Sequence, residues 1–238
     1  MKMKNGNGRV LGVIGGMGPL ATQLFYKMVI ENTDASCDQE HIDMIILSHA
    51  SMPDRTLAIE EGRTDELVEK LGEDARFLEE SGASCIAVPC NTTHVVLPAL
   101  QEKVGIPIIN MIEETAKEAA SHGVRRVGIL ATDGTIETGL YHAACEAHGI
   151  EAVSPPADVQ AKVMDIIYGS VKSGEPLDME DIRAIENWKA EVGCERCILG
   201  CTELPLVRQY FSEPEKYIDA MLILARRSVE ACGAPLTE

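Results

Sequence analysis

Two thiols in near-matching settings carry the most chemistry in this sequence. Cys90 ends the run Cys85-Ile86-Ala87-Val88-Pro89 and is followed by Asn91, Thr92, Thr93 and His94. Cys201 ends Cys197-Ile198-Leu199-Gly200 and is followed by Thr202, Glu203, Leu204 and Pro205. Each is a short apolar run that stops at a Cys and turns polar at once. A strand ending this way sets a thiol at the carboxyl edge of a sheet, where α/β proteins bind ligands. Two such thiols, one per half of the chain, suit an enzyme that takes a proton from one face of a carbon and returns it to the other.

Other residues offer binding groups. Gly12-Val13-Ile14-Gly15-Gly16-Met17-Gly18-Pro19 follows a strand pattern and opens a helical one. Its glycines let backbone approach a ligand, and the helix N-terminus behind it favours a carboxylate. The spacing is not G-x-G-x-x-G and no GK[ST] follows, so nucleotide binding has little support. A tight strand-to-helix turn is the plain alternative. Arg55, in Pro53-Asp54-Arg55-Thr56, carries a fork that holds a carboxylate at two points, or else forms a surface pair with Asp54. Lys172 ends a helical stretch, where a Lys is also simply a favourable charge. Thr132-Asp133-Gly134-Thr135 has hydroxyls and amides for a ligand headgroup, and a plain turn is equally consistent. Cys194-Glu195-Arg196-Cys197 is a lone C-x-x-C. Structural zinc needs four ligands and a thioredoxin-type pair needs a helix behind it, whereas a strand follows here; no metal is expected. His94 either orients the Cys90 thiol or is a satisfied structural histidine.

Composition narrows the class. The 238 residues are 45% hydrophobic and only 4% aromatic, so the core rests on aliphatic side chains and Met. The formal charge of −17 argues against a nucleic-acid partner, which needs a basic surface. It also means that an acidic ligand must meet a local positive pocket. Eight Cys in a chain of this length read as reduced thiols of a cytoplasmic protein rather than a disulfide framework. The start, Met1-Lys2-Met3-Lys4 before an apolar stretch, imitates a signal peptide, but four Gly and a Pro interrupt that stretch. No apolar run reaches the roughly 18 residues that span a membrane.

Apolar strand patterns at 10–14, 44–47, 85–88, 108–109, 127–130, 151–153 and 196–199 alternate with amphipathic stretches at 21–31, 64–81, 112–122, 137–148 and 178–191. Alternation of this kind predicts parallel sheets flanked by helices. The halves echo each other: Gly128 follows Gly12 by 116 residues and Cys201 follows Cys90 by 111, as a duplicated α/β unit would give. The tail, 215–232, reads as one long helix that packs back on the first half. The expected domains are 1–111 with 212–238, and 112–211.

The motifs Gly15-Gly16-Met17-Gly18-Pro19, Pro53-Asp54-Arg55-Thr56, Pro89-Cys90-Asn91-Thr92-Thr93-His94, Ile167-Tyr168-Gly169-Ser170-Val171-Lys172 and Gly200-Cys201-Thr202-Glu203-Leu204 run in order over nearly the whole chain. In these the sequence resembles the aspartate/glutamate racemase family, most closely its aspartate racemase branch. The resemblance implies two similar α/β domains related by pseudo-two-fold symmetry, with the active site between them. It implies racemisation without a cofactor, Cys90 and Cys201 as the catalytic pair, and Arg55 and Lys172 as contacts of the substrate carboxylates. Met17, Asn91, Thr92, Thr132, Thr135, Thr202 and Glu203 complete the candidate substrate-binding set. A homodimer is common among such proteins and is the expected assembly.

The α-hydrogen of an amino acid is very weakly acidic, so the chemistry asks for a thiolate on one face and a thiol on the other. A free Cys titrates at about 8.5. Each of the two is therefore expected to be a partly accessible thiol of lowered pKa, unlike Cys85 or Cys197 inside the strands. Two alternatives stand beside racemisation of aspartate or glutamate. One is a related enzyme of the superfamily, such as a cis–trans isomerase of a dicarboxylate, since fold alone does not fix the reaction. The other is a non-catalytic protein that binds a small acid.

Overall fold

The structure, a computed structural model, describes residues 9–237. The chain divides into two compact units, Met1–Met111 with Met221–Glu238, and Ile112–Ala220. Both are α/β units built on parallel strands.

In the first unit, β1 (Val10–Gly15) is buried along its whole length, and α1 (Pro19–Asn32) starts with Pro at its first position. Then come β2 (Asp43–Ser48), α2 (Arg55–Glu60), α3 (Thr64–Ser81), β3 (Cys85–Ala87) and α4 (Leu97–Gln101). The strand order is β2-β1-β3, all parallel, with Gly15 level with Ser48 and Leu11 level with Cys85. A strand covered on both faces has no polar side to show, which is why β1 reads apolar throughout. The run 108–109, read as a strand, is a single parallel bridge from Ile108 to Ile86. Helix α3 spans the predicted residues. Its Leu67, Leu71, Ala75 and Leu78 are buried on one face, and Gly82 in the left-handed region (φ 105°) stops it.

In the second unit, α5 (Met111–Ser121), β4 (Arg126–Leu130), α6 (Asp133–Glu137), α7 (Leu140–Ala147), β5 (Glu151–Val153) and α8 (Ala157–Met164) precede a π-helical segment, Asp165–Lys172. They are followed by α9 (Met179–Glu191), β6 (Arg196–Leu199) and β7 (Tyr217–Asp219), while α10 (Ala220–Ala231) belongs to the first unit from Met221 on. The parallel order is β5-β4-β6-β7. Trp188, Ile166, Ile182, Ile185, Cys197 and Leu199 share one buried cluster.

Two further sequence expectations need correction. The stretch 137–148 is not one helix. Gly139 at φ 65° separates α6 from α7, because Thr132 caps a short first helix that ends before it. Nor is 215–232 one helix: Tyr217–Asp219 extends the second sheet and the helix begins at Ala220. The two glycines that matched in sequence occupy matching places. A Cβ on Gly12 would lie 3.0 Å from the Ala83 Cβ, and one on Gly128 would lie 2.8 Å from the Cys197 Sγ. In each unit the central strand therefore meets its neighbours where no side chain fits. No helix among the described residues is long and apolar enough to cross a membrane.

Candidate active site

Each Cys sits just past a strand at the carboxyl edge of its own sheet. In the first unit, Cys90 lies three residues after β3 and is 5% exposed. The polar residues after it coil into a 3-10 turn, Thr92–Val96, with Asn91, Thr92, Thr93 and His94 all buried. His94 is fully committed to this turn. Its Nδ1 lies 2.9 Å from the Cys90 carbonyl and its Nε2 3.1 Å from the Met111 backbone N–H. The pairing fixes the tautomer: Nδ1–H donates and Nε2 accepts. His94 is thus the structural histidine of the two readings, holding the backbone of Cys90.

Burial holds the pKa of His94 below its ordinary value, its backbone partners opposing in part. In the unfolded chain a histidine titrates near about 6.5. Below that pH the unfolded state takes a proton that the folded state refuses, so stability is lost as pH falls toward the lower folded value. His94→Gln should flatten this part of the profile. Urea midpoints at about pH 7.5 and about pH 5.5, on either side of the free imidazole value, check it. The wild-type midpoint should drop by more than that of His94→Gln; an equal drop contradicts the assignment.

The loop after β1 meets the same turn. Thr93 Oγ1 donates to the Met17 Sδ at 3.7 Å, and Met17, Met52, Ala58 and Cys90 belong to one packed cluster. Gly16 makes the bend possible. It sits at φ 91°, and a Cβ there would come within 2.5 Å of the His49 backbone. Arg55 opens α2 behind the Asp54 cap, whose carboxylate accepts from the Leu57 N–H. One guanidinium nitrogen donates to the Pro53 carbonyl at 3.0 Å and another to the Met17 carbonyl at 3.4 Å. Met17, Arg55 and the Cys90–Asn91–Thr92 turn are therefore one linked group.

The second unit gathers the other candidates. Thr132 and Thr135 are buried at the start of α6, where Thr132 Oγ1 accepts from the Thr135 N–H at 3.4 Å and the two hydroxyls lie 3.1 Å apart. Gln160 braces this turn through the Ala131 carbonyl and the Asp133 carboxylate. On the adjacent strand, Gly200 N–H donates to the Leu130 carbonyl, and Cys201 follows. A Cβ on Gly200 would lie 2.9 Å from the Tyr141 ring, so the chain passes closely over that buried ring just before the thiol.

Cys201 is 7% exposed, and its Sγ donates to the Glu203 Oε2 at 3.0 Å. Thr202 Oγ1 donates to the same oxygen at 3.2 Å. Lys172 Nζ stands 3.9 Å from the other Glu203 oxygen and 4.2 Å from the centre of the Tyr168 ring. Lys172 closes the π-helical segment, whose wider turn changes which side chains share a face with the helix before it.

The expectation of partial accessibility is corrected for both thiols, which are buried, and that of a lowered pKa is corrected for Cys201. Burial raises it well above a free thiol, the Glu203 carboxylate adds to the rise, and the Lys172 ammonium offsets only part. Cys201 rests as a thiol with a hydrogen-bond acceptor for its proton. Inside β6, burial pushes Cys197 up to about 12. Sequence reasoning did not find Gln160 or Tyr141, and it gave Tyr168 no role beyond its place in the 167–172 motif. Tyr168 alone left a signal, four residues before Lys172 on a helical stretch.

The profile of the family described as Asp/Glu/Hydantoin racemase matches residues 14–227. The chain is 28% identical over 229 residues to the broad specificity amino-acid racemase RacX of Bacillus subtilis (strain 168), covering 92% of this chain and 96% of that one. Among solved structures it is similar to the Picrophilus torridus aspartate racemase, with TM-score 0.80 and 27% identity over 97% of this chain and 96% of the other. An aspartate racemase homologue from Pyrococcus horikoshii OT3 gives TM-score 0.78 and 29% identity over 97% of this chain and all (100%) of the other.

Proposed function

The chain belongs to the Asp/Glu/hydantoin racemase family, and from that premise we propose that it interconverts L- and D-aspartate, without a cofactor, by proton transfer at Cα between Cys90 and Cys201. As an amino-acid racemase it must lift a weakly acidic hydrogen from one face and return one to the other. In the proposed cycle Cys201 acts first as the acid and Cys90 as the base; the reverse direction exchanges the roles. The observation that carries this reading is the Cys201–Glu203 hydrogen bond, which keeps a proton on the thiol in the resting protein. Arg55 and Lys172 are the cations beside the two Cys turns and supply the carboxylate contacts that a dicarboxylate substrate requires. The likeness to the Picrophilus torridus aspartate racemase supports aspartate as a substrate.

Glu203 then has a definite part. When Cys201 gives up its proton, the neighbouring carboxylate opposes the new thiolate and Lys172 compensates. Glu203→Gln removes the negative charge, so the Cys201 pKa should fall. Alkylation of Cys201 by iodoacetamide, followed by mass spectrometry across pH, reads this directly. The alkylation curve should move to lower pH in the variant, and an unmoved curve overturns the role given to Glu203.

Circular dichroism of L-aspartate, beside fumarate formation from maleate, tests the reaction itself. Decay of the aspartate signal toward zero with no fumarate is expected. Fumarate formation with a stable aspartate signal would favour the cis–trans isomerase reading instead. A stable signal with neither reaction, in protein that binds aspartate, would leave only a binding role.

A further inference from the structure

A second thiol pair lies away from the two turns just described. Cys85 opens β3, at the end of the strand opposite to Cys90, and Cys232 follows the last residue of α10. Both are buried, and their sulfurs are 3.9 Å apart across 147 residues of sequence, close enough for one thiol to share its proton with the other. Both are free thiols here. Arg9 donates to the Ala231 carbonyl at 2.8 Å, which sets a guanidinium at the same helix end. The proton shared with Cys232 lowers the Cys85 pKa, burial opposes this and Arg9 adds to it. The same shared proton and burial raise the Cys232 pKa until Cys85 has reacted.

We propose that Cys85 and Cys232 are a redox-convertible pair, and that a small-molecule disulfide oxidises them to a bond clasping the C-terminal helix to β3. A disulfide needs its sulfurs at about 2.05 Å. The sulfurs have to close from 3.9 Å, and Cys232 lies at the end of α10, just before Gly233 in the left-handed region (φ 78°). In the proposed reaction the oxidant reaches this buried pair by transient opening of the helix end. In the first step the Cys85 thiolate attacks one sulfur of the small disulfide, forming a mixed disulfide and releasing one thiol. The Cys232 thiolate then attacks the Cys85 sulfur and releases the second. The protein loses two electrons and two protons, and one small disulfide becomes two thiols. The bond closes the discontinuous first unit covalently, joining its Met1–Met111 and Met221–Glu238 segments. Closing so long a loop restricts the unfolded chain strongly, so the oxidised protein unfolds at higher temperature.

The test uses the folded, fully reduced chain in graded glutathione disulfide, with non-reducing peptide mapping and thermal melts at each ratio. A peptide pair joined through Cys85 and Cys232, a rise in Tm with the joined fraction, and return of both to the reduced state with dithiothreitol are expected. Cys232→Ser and Cys85→Ser should each lose the joined pair and the Tm rise. If one variant fails to fold, the other and the wild-type map still decide the matter. Cys85 and Cys232 recovered as free thiols or separate glutathione adducts at saturating oxidant would overturn the proposal. So would joining only after unfolding in urea.

Discussion

Cys90→Ser and Cys201→Ser are each expected to lose racemisation of aspartate while remaining folded. A serine hydroxyl is neither a usable base nor a comparable acid near neutral pH, and each turnover in either direction needs one base and one acid. Removing a positioned proton-transfer group costs about 10²- to 10⁴-fold. The two variants need not behave alike in exchange. Each keeps one thiol, so each can still wash solvent deuterium into the α-position of one enantiomer, and the two should select opposite enantiomers. Cys201 has the more demanding local setting, buried against Glu203 and Thr202. Serine there fits the hydrogen bond but not the chemistry, so fold is kept and rate is lost. Circular dichroism of both aspartate enantiomers, with far-ultraviolet spectra as the fold control, checks this. A variant that racemises at the wild-type rate contradicts the two-thiol mechanism.

Arg55→Ala is expected to carry the next largest effect. The chain is strongly acidic overall, with a formal charge of −17, so a dicarboxylate must be held by a local cation against an unfavourable long-range field. Losing a charged hydrogen-bond partner of a bound carboxylate costs about 2–5 kcal/mol, or about 30-fold to a few thousand-fold in kcat/KM. Arg55 also ties the Met17 carbonyl to Pro53, so part of an alanine effect reflects a loosened loop. Arg55→Lys separates the two contributions. It keeps the charge but not the planar fork, and should recover part of the loss. Steady-state kinetics on aspartate decide the matter, and unchanged KM and kcat in Arg55→Ala would remove Arg55 from the substrate contacts.

The fold was readable where short-range patterns act alone. Helix α3 was legible to its ends because its buried leucines recur at helical spacing and Gly82 stops it. The parallel strands announced themselves as unbroken apolar runs because both faces are covered. Signals failed where a single residue or a distant contact decides. Gly139 splits a helix whose pattern looks continuous, and Tyr217–Asp219 is too short to be distinguished as a strand before a long helix. The setting of Cys201 was hidden for a different reason. Its raised pKa comes from burial and from a carboxylate two residues on that folds back onto the thiol. Sequence spacing gives the residues but not that turn. The bracing of Thr132 by Gln160 is likewise tertiary and has no local signature.

Solvent exchange at the substrate's Cα tests the central claim most directly. The wild-type chain is incubated with L-aspartate, and separately with D-aspartate, in deuterated water, and Cα deuterium is followed by NMR beside optical activity. From either enantiomer, deuterium is expected to enter Cα as optical activity is lost, with the first-formed opposite enantiomer already deuterated, because the returned proton comes from a thiol equilibrated with solvent. Absence of exchange and of inversion from both enantiomers, or inversion of aspartate by the double variant Cys90→Ser/Cys201→Ser, would contradict the two-thiol account.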